Sequence, residues 1–431
     1  MNKILVIIIV LLAGFALAGC ERDGAGSMAK SDQMREAPQV SWDTQHNLAE
    51  DNNQFAIDLY HALQDEEGNL LYSPYSISLA LAMTYGGARG DTEAQMAEVL
   101  HFEMPQAELH AAFNQLDLEL AKKSEADEEG NQTVQLDIAN AIWAQQDYAF
   151  LPEYLDLLAL NYGAGIHLSD FKTRAEETTE EINLWVSDQT HERIQDILSP
   201  DALGELTRLV LVNAIYFNAT WGAPFNVEDT QPAPFYLLDG SEIQVEMMYQ
   251  ALDARYYAGS LSGGIGYQAI RLPYAGGTVA MEIIVPDAGQ FEAFEAALDW
   301  NTVEAILGGL HKVDMRLKMP KFTFRSTFAL ADPLKAMGMP DAFTPGTADF
   351  SGMDGTRDLN IDSVIHQAFV AVDEVGTEAA AVTVVEVVEV SMPIGEPEII
   401  ELTIDRPFIF LIRDLSSGQV LFVGRVLNPA Q

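Results

Sequence analysis

Val382 to Val390 place six valines in nine positions. β-Branched residues at that density disfavour a helix and suit a pleated surface, so the segment reads as a strand. It lies between two other strand-like runs, Val364–Val372 and Ile399–Ile412. An apolar strand former left permanently exposed would template aggregation. A chain that keeps one either buries it for good or holds it ready for later insertion.

Alternation of side chains along an extended backbone tests the second option. As an inserted strand, Thr377, Ala379, Ala381, Thr383, Val385 and Val387 fall on one face. Glu378, Ala380, Val382, Val384, Glu386 and Val388 fall on the other. The first face is small near its start and wholly apolar or hydroxylic; both acids sit on the second. A slip of one residue would bury both acids, at several kcal/mol. The segment is fitted to a strand with one core face and one wetter face.

The N-terminus stands apart from this core. Lys3 precedes an apolar run from Ile4 to Leu17, which is followed by Ala18-Gly19-Cys20. A positive start, a short apolar stretch and small residues before a cut describe an export signal over 1–19, too short for a membrane span. Cysteine directly after Leu-Ala-Gly resembles the bacterial lipobox, which makes Cys20 the expected lipid attachment point. Cys20 is the only cysteine, so no disulfide is available. Residues 20–45 are polar and carry Gly24, Gly26, Ser27 and Pro38, and are expected to be a flexible tether. Glu21 after the cysteine favours transfer to an outer membrane. The expected location is outside the cytoplasm, lipid-anchored to the cell envelope, whether on the outer membrane, the surface or the periplasmic side.

Acidic residues number 65 against 23 basic, a net charge of −42. Phosphate backbones need a basic surface, so nucleic acid is excluded as a partner. Two readings of the acidity stay open: a surface adapted to saline surroundings, or steering of a cationic protease. No Gly-x-Ser-x-Gly elbow, His-Glu-x-x-His or phosphate loop occurs, and the eight histidines are scattered. The chain is therefore expected to be no enzyme, with neither metal nor cofactor. Helical patterns dominate up to Thr190 and strand patterns beyond Leu209, an α+β order.

Several ordered motifs then point to one family. Glu374-Val-Gly-Thr-Glu-Ala-Ala-Ala381 resembles the hinge of a serpin reactive-centre loop. Asn69-Leu-Leu-Tyr-Ser-Pro-Tyr-Ser76, running on to Met83 and Gly86–Gly90, is similar to the family's shutter helix. Leu209–Phe217 with Trp221 and Pro224-Phe225 resembles its central strand and breach. Asp405–Phe410 and Leu421–Pro429 resemble its C-terminal strands. The likeness covers about Leu48 to Pro429.

The resemblance implies a serpin domain over 46–431, with three β-sheets, about eight to nine helices and an exposed reactive-centre loop near 374–398. It implies inhibition of serine proteases by suicide trapping. The hinge would comprise Glu374, Gly376, Thr377, Glu378, Ala379, Ala380 and Ala381. Family spacing, sixteen residues beyond Glu374, puts the reactive bond at Val390–Ser391. Valine there suits a shallow apolar primary pocket of the elastase-like class. Some papain-like cysteine proteases would be further targets. Ser73, Ser76, Asn213 and His366 would form a polar shutter network, Trp221 would mark the breach, and Lys321 would pair with Glu374. Val375 and the bulky Val382 depart from the family pattern, while Thr377 and Ala379–Ala381 keep its small residues. The alternative is a non-inhibitory serpin acting as a binding protein. A monomer is expected.

Overall fold

The computed structural model describes residues 27–125, 133–377 and 399–431. The chain opens with a short strand, β1 (Ser27–Ala29), and helix α1 (Trp42–Leu63). There follow β2 (Leu70–Tyr72), α2 (Pro74–Tyr85), α3 (Gly90–Val99), α4 (Gln106–Lys123), β3 (Val134–Gln145), α5 (Pro152–Tyr162), β4 (Ile166–Ser169), α6 (Ala175–Gln189) and β5 (Leu209–Thr220). Next come β6 (Gln231–Tyr236), β7 (Glu242–Leu261), β8 (Ile265–Pro273), β9 (Val279–Pro286), α7 (Phe291–Ala296), α8 (Trp300–Gly308), β10 (His311–Pro320), β11 (Phe322–Ala329) and α9 (Ala331–Met337). The chain ends with α10 (Ser351–Asp354), β12 (Ser363–Val372), β13 (Gly376–Thr377), β14 (Ile400–Thr403), β15 (Phe408–Asp414) and β16 (Val420–Val426).

The strands make two sheets among the described residues, where three were expected. The reason is β7, whose 20 residues pair with β6 and β10 through their first part and with β8 through their last. One long strand thus welds two expected sheets into a single nine-stranded ladder. Ten α-helices are present among the described residues, against eight to nine, because α10 is a single turn too short to leave a periodic pattern. The run Ile399–Ile412 divides into β14 and β15, since Pro407 has no N–H for a ladder.

The main sheet has the order β1-β4-β3-β5-β13-β12-β11. Helix α2 lies behind it, and all twelve of its residues are buried. Its start follows from local chemistry: Ser73 Oγ accepts the Ser76 N–H, and Pro74 occupies the first turn, where no N–H is needed. On the opposite side, Ile182 and Val186 of α6 pack on Trp143, Val210 and Val212, forming an apolar cluster separate from the large core.

The segment expected as a flexible tether is placed on the domain from Ser27 onward. Ser27 and Ala29 pair with Leu168 and Ile166 on the edge of β4. Arg35 donates to Asn114 Oδ1 at 2.7 Å and to Asp117 Oδ2 at 2.8 Å. The Glu36 N–H reaches the Leu160 carbonyl at 2.9 Å, and Ser41 caps α1. An edge strand satisfies its free N–H and C=O groups this way, which composition alone does not reveal. Residues 1–19 and Cys20 lie outside the described residues.

Gly165 makes the docking of β1 possible, since a Cβ there would lie 2.7 Å from the Ala29 carbonyl oxygen. Gly165→Val is expected to detach Ser27–Ala29 while leaving the main sheet intact. Hydrogen exchange at those amides and at Ile166–Leu168 should rise at least tenfold, with the exchange of β3 and β5 unchanged.

Candidate functional site

The centre of interest is the seam between β5 and β12. The two strands pair in parallel from Val210–Ser363 to Tyr216–Phe369. Beyond that point they separate, and β13 fills the gap. Gly376 lies opposite Thr220, and Thr377 lies opposite both Ala219 and Val372. The hinge is thus already seated as the first two residues of an additional strand.

Gly376 is required by close approach. A Cβ on it would lie 2.0 Å from the Ala219 carbonyl oxygen and 2.8 Å from Thr220 Cα. Thr377 is fully buried, and its Oγ1 lies 2.7 Å from the Tyr274 hydroxyl. Its side chain therefore faces the core, in the alternation that assigns the small, hydroxylic set to that face. Burial raises the Tyr274 phenol well above its ordinary value, so it stays protonated as a hydrogen-bonding hydroxyl.

The turn before β13 is held by the backbone and one carboxylate. Asp373 Oδ1 accepts the N–H groups of Val375 and Gly376 at 2.8 and 3.1 Å. Trp221 clamps the same turn: its N–H donates to the Val375 carbonyl and its Nε1 to the Asp373 carbonyl. Its ring stacks on Tyr274 with centroids 4.7 Å apart. The Phe225 N–H donates to the Glu374 carbonyl. Glu374 itself is buried, with Lys321 Nζ 2.8 Å from Oε2 and Thr230 Oγ1 2.7 Å from Oε1. Burial pushes the carboxyl up, but the hydrogen bonds from Lys321 and Thr230 outweigh it and hold the group below its usual range. An exposed pair would add only about 0–1 kcal/mol. Here Lys321 is the one cation among the described residues on this buried carboxylate, so removing it orphans a charge.

Under the paired part of the seam lies a polar cluster. His366 Nε2 accepts the Ser73 N–H at 3.0 Å, while Nδ1 bonds Asn213 Oδ1. The Asn213 amide donates to Ser76 Oγ at 2.5 Å and to Asn140 Oδ1. The amide of Asn140 returns to the Ser76 carbonyl at 3.2 Å. Burial pushes the His366 imidazole down to about 3, so it is neutral with its proton on Nδ1.

Ser73, Ser76, Asn213 and His366 are therefore in one network, and Trp221, Lys321, Glu374, Gly376 and Thr377 are in one latch. Glu378, Ala379, Ala380, Ala381, Val390 and Ser391 lie outside the described residues. Sequence reading missed Asn140, Asp373, Thr230 and the role of Tyr274. An asparagine inside an apolar strand and an aspartate three residues before a glycine were the available signals. Among the described residues no group of three or more His, Cys, Asp or Glu side chains could hold a metal ion, and no helix is long and apolar enough to cross a membrane.

The family model for serpins, described as serine protease inhibitors, matches residues 50–429. The leukocyte elastase inhibitor A of Rattus norvegicus is 36% identical over 395 residues, covering 89% of this chain and 99% of the relative. An uncharacterized serpin-like protein of Thermococcus kodakarensis is 38% identical, covering 88% and 84%. The crystal structure of the thermophilic serpin tengpin in its native state superposes with a TM-score of 0.79 at 28% identity, covering 93% and 97%. The chain belongs to the serpin family of serine protease inhibitors.

Gly376→Ala should expel β13 from the seam, because the clash is with backbone and cannot be relieved by a rotamer. Exchange at the Trp221 amide, which donates to the Val375 carbonyl, is the readout, expected to rise by at least an order of magnitude. Acid should weaken the network beneath. Unfolded imidazole binds its proton near 6.5 and the folded His366 near 3, so unfolding takes up a proton between these values. The His366 contribution is whole above pH 6.5, erodes as pH falls below it, and is gone by about 3. His110, pushed down by burial to about 4, adds the same sign. The fall in unfolding midpoint between pH 7.5 and 5.5 should therefore be smaller in His366→Gln than in the parent protein, though not zero.

Proposed function

We propose that the protein traps serine proteases by a suicide mechanism while held at the cell envelope through a lipid on Cys20. One observation carries this reading: β13 occupies the mouth of the β5–β12 seam in the antiparallel register that a longer inserted strand would continue.

The reacting bond is Val390–Ser391. The protease's serine oxygen attacks the Val390 carbonyl, the bond to the Ser391 nitrogen breaks, and that nitrogen leaves as a protonated amine. The acyl ester stays on Val390. Once cut free of β14, the loop can extend β13 down the seam. Each step separates one β5–β12 pair and replaces it with pairing on both sides of the new strand. Every fully buried valine contributes roughly 1.5 kcal/mol or more, which together with the new ladders offsets the ordering of the loop. Stored free energy of this kind, released by cleavage, is what distorts and retains the acylated protease.

Valine at the reactive bond favours a protease with a shallow apolar pocket, because such a pocket rejects long or charged side chains. Elastase-like enzymes fit, and the names of the rat and other leukocyte elastase inhibitors among the relatives point the same way. Papain-like cysteine proteases, whose thiolate can form an equivalent acyl bond, are secondary targets.

Mixing residues 21–431 with an elastase should give a complex that survives denaturation, together with a C-terminal peptide beginning at Ser391. Thr377→Arg places a charged side chain in the fully buried site beside Tyr274. It should convert the inhibitor to a substrate: cleavage at the same bond, with at least a hundredfold less trapped complex. Cleavage without any trapped complex in the parent protein, across a panel of serine proteases, would sink the reading.

A further inference from the structure

We propose that the pole of the main sheet farthest from the hinge faces the membrane, and that trapping carries the bound protease to that membrane. The proposal rests on the lipid-anchoring and trapping readings above, and follows from where β1 enters the sheet.

The strand registers fix the geometry. Ser27 lies opposite Leu168, Leu168 opposite Ala144, and Ala144 opposite Leu209, the first residue of β5. Thr220, the last residue of β5, lies opposite Gly376 of the hinge. The point where the chain enters is therefore level with one end of β5, and the hinge is level with the other. Eleven residue steps of strand separate these levels by about 36 Å. The direction is fixed as well. β1 runs antiparallel to β4, so Ser27 is the end of the strand farther from the hinge and Ala29 the nearer end. Cys20 precedes Ser27 by seven residues, which reach at most about 24 Å. A lipid on Cys20 is thus tied to the hinge-distal pole, and Gly376 and Thr377 of the hinge stand at the end of the sheet away from the bilayer.

Two further features suit that pole to a membrane surface. Leu206, 82% exposed, lies in the turn leading into β5 at this end, and Met28 of β1 is also exposed. Apolar side chains there can enter the interfacial region, where water is already thin. The net charge of −42 repels anionic lipid, so attachment by the short leash, rather than broad adhesion of the body, determines which pole approaches.

The consequence for trapping comes from the same register. Thr377 pairs with Ala219, and continuing that antiparallel pairing sets Val387 opposite Leu209. Val390, carrying the acyl group, then lies three residues beyond the start of β5, about 10 Å past the level of Ser27 and farther from the hinge. A protease caught far from the membrane finishes beside it. A protease domain of about 200 residues is roughly 40 Å across by globular scaling, wider than the leash is long. The anchored body must therefore tilt to make room.

Cys20 is the only cysteine, and its thiol is acylated in the anchored form, so one introduced cysteine can be labelled uniquely. The full lipidated chain is placed in phosphatidylglycerol–phosphatidylethanolamine vesicles that carry an acceptor dye. Ala202→Cys marks the hinge-distal pole and Thr278→Cys the hinge pole; both positions are exposed. Energy transfer to the bilayer should be at least threefold stronger from position 202 than from 278. A donor-labelled elastase should show transfer only after trapping, rising at least threefold over an encounter blocked by an active-site inhibitor. Equal or reversed transfer from the two sites overturns the orientation, and a trapped protease that stays dark overturns the delivery. Flotation of the vesicles and denaturing gels are read in parallel. Protein that fails to float, or forms no stable complex, refutes the anchoring or trapping reading itself and is told apart from a wrong orientation.

Discussion

The pairing of β5 with β12 stops before either strand ends, and much of the molecule is organised around that incomplete ladder. Parallel strands at the centre of a buried sheet ordinarily pair along their shared length, because a lone N–H or C=O in the interior costs about 1–3 kcal/mol. Among the described residues the open end is filled by Gly376 and Thr377. They satisfy the groups at the mouth while leaving the rest of the seam closed by direct pairing from Val210 to Tyr216. The arrangement stays put because the turn behind it is over-determined. Asp373, Trp221, Lys321 and Thr230 each hold a different atom of Asp373–Gly376. A hinge held by many modest contacts resists drift in either direction.

What lies beneath the seam suits the opening that the proposed insertion requires. An apolar filling under β5 and β12 would be indifferent to the lateral position of the strands. The network of Ser73, Ser76, Asn140, Asn213 and His366 is not, because its bonds run between α2, β3, β5 and β12. Directional bonds between elements that part in the proposed insertion define a closed state with a definite geometry. They can be exchanged one by one rather than lost together. The separate apolar cluster under α6 does the complementary job on the other side: it covers the same strands through contacts distinct from the large core.

Much of this was legible in the chain before any coordinates. Alternation along the segment put Thr377 on the core face, and it is fully buried there, while the valine run itself lies outside the described residues. The strand-like run Val364–Val372 is strand β12, at Ser363–Val372. The misses share a cause: each depends on a partner distant in sequence. Ser27–Ala29 is polar and glycine-flanked, and becomes a strand only because β4 offers an edge. Asn140 looks like a flaw in a strand until Asn213 and Ser76 are beside it. Glu374 reads as a surface acid until its turn folds under Phe225. Local pattern records what a segment tolerates, whereas docking is decided by surfaces the segment does not contain.

The placement of charge closes the argument. With 23 basic residues against 65 acidic, cations are scarce, and their distribution is informative. Among the described residues, six ion pairs set a basic side chain on a carboxylate that is 14% exposed or less: Arg271 and Arg413 on Glu282, Lys321 on Glu374, Lys123 on Asp414, Arg357 on Asp349, and Arg425 on Glu295. A buried carboxylate without a partner would be far more costly than an exposed one. Cations placed there leave the outer surface strongly acidic, and its self-repulsion acts against the compact state wherever ions are few. Salt relieves that repulsion over a Debye length of about 10 Å at 0.1 M, but screens a close, buried pair much less. Ionic strength can therefore strengthen the whole domain while leaving the Lys321–Glu374 latch largely intact. The surface can adjust to its surroundings while the hinge keeps its set point, a separation that follows from the burial of Glu374.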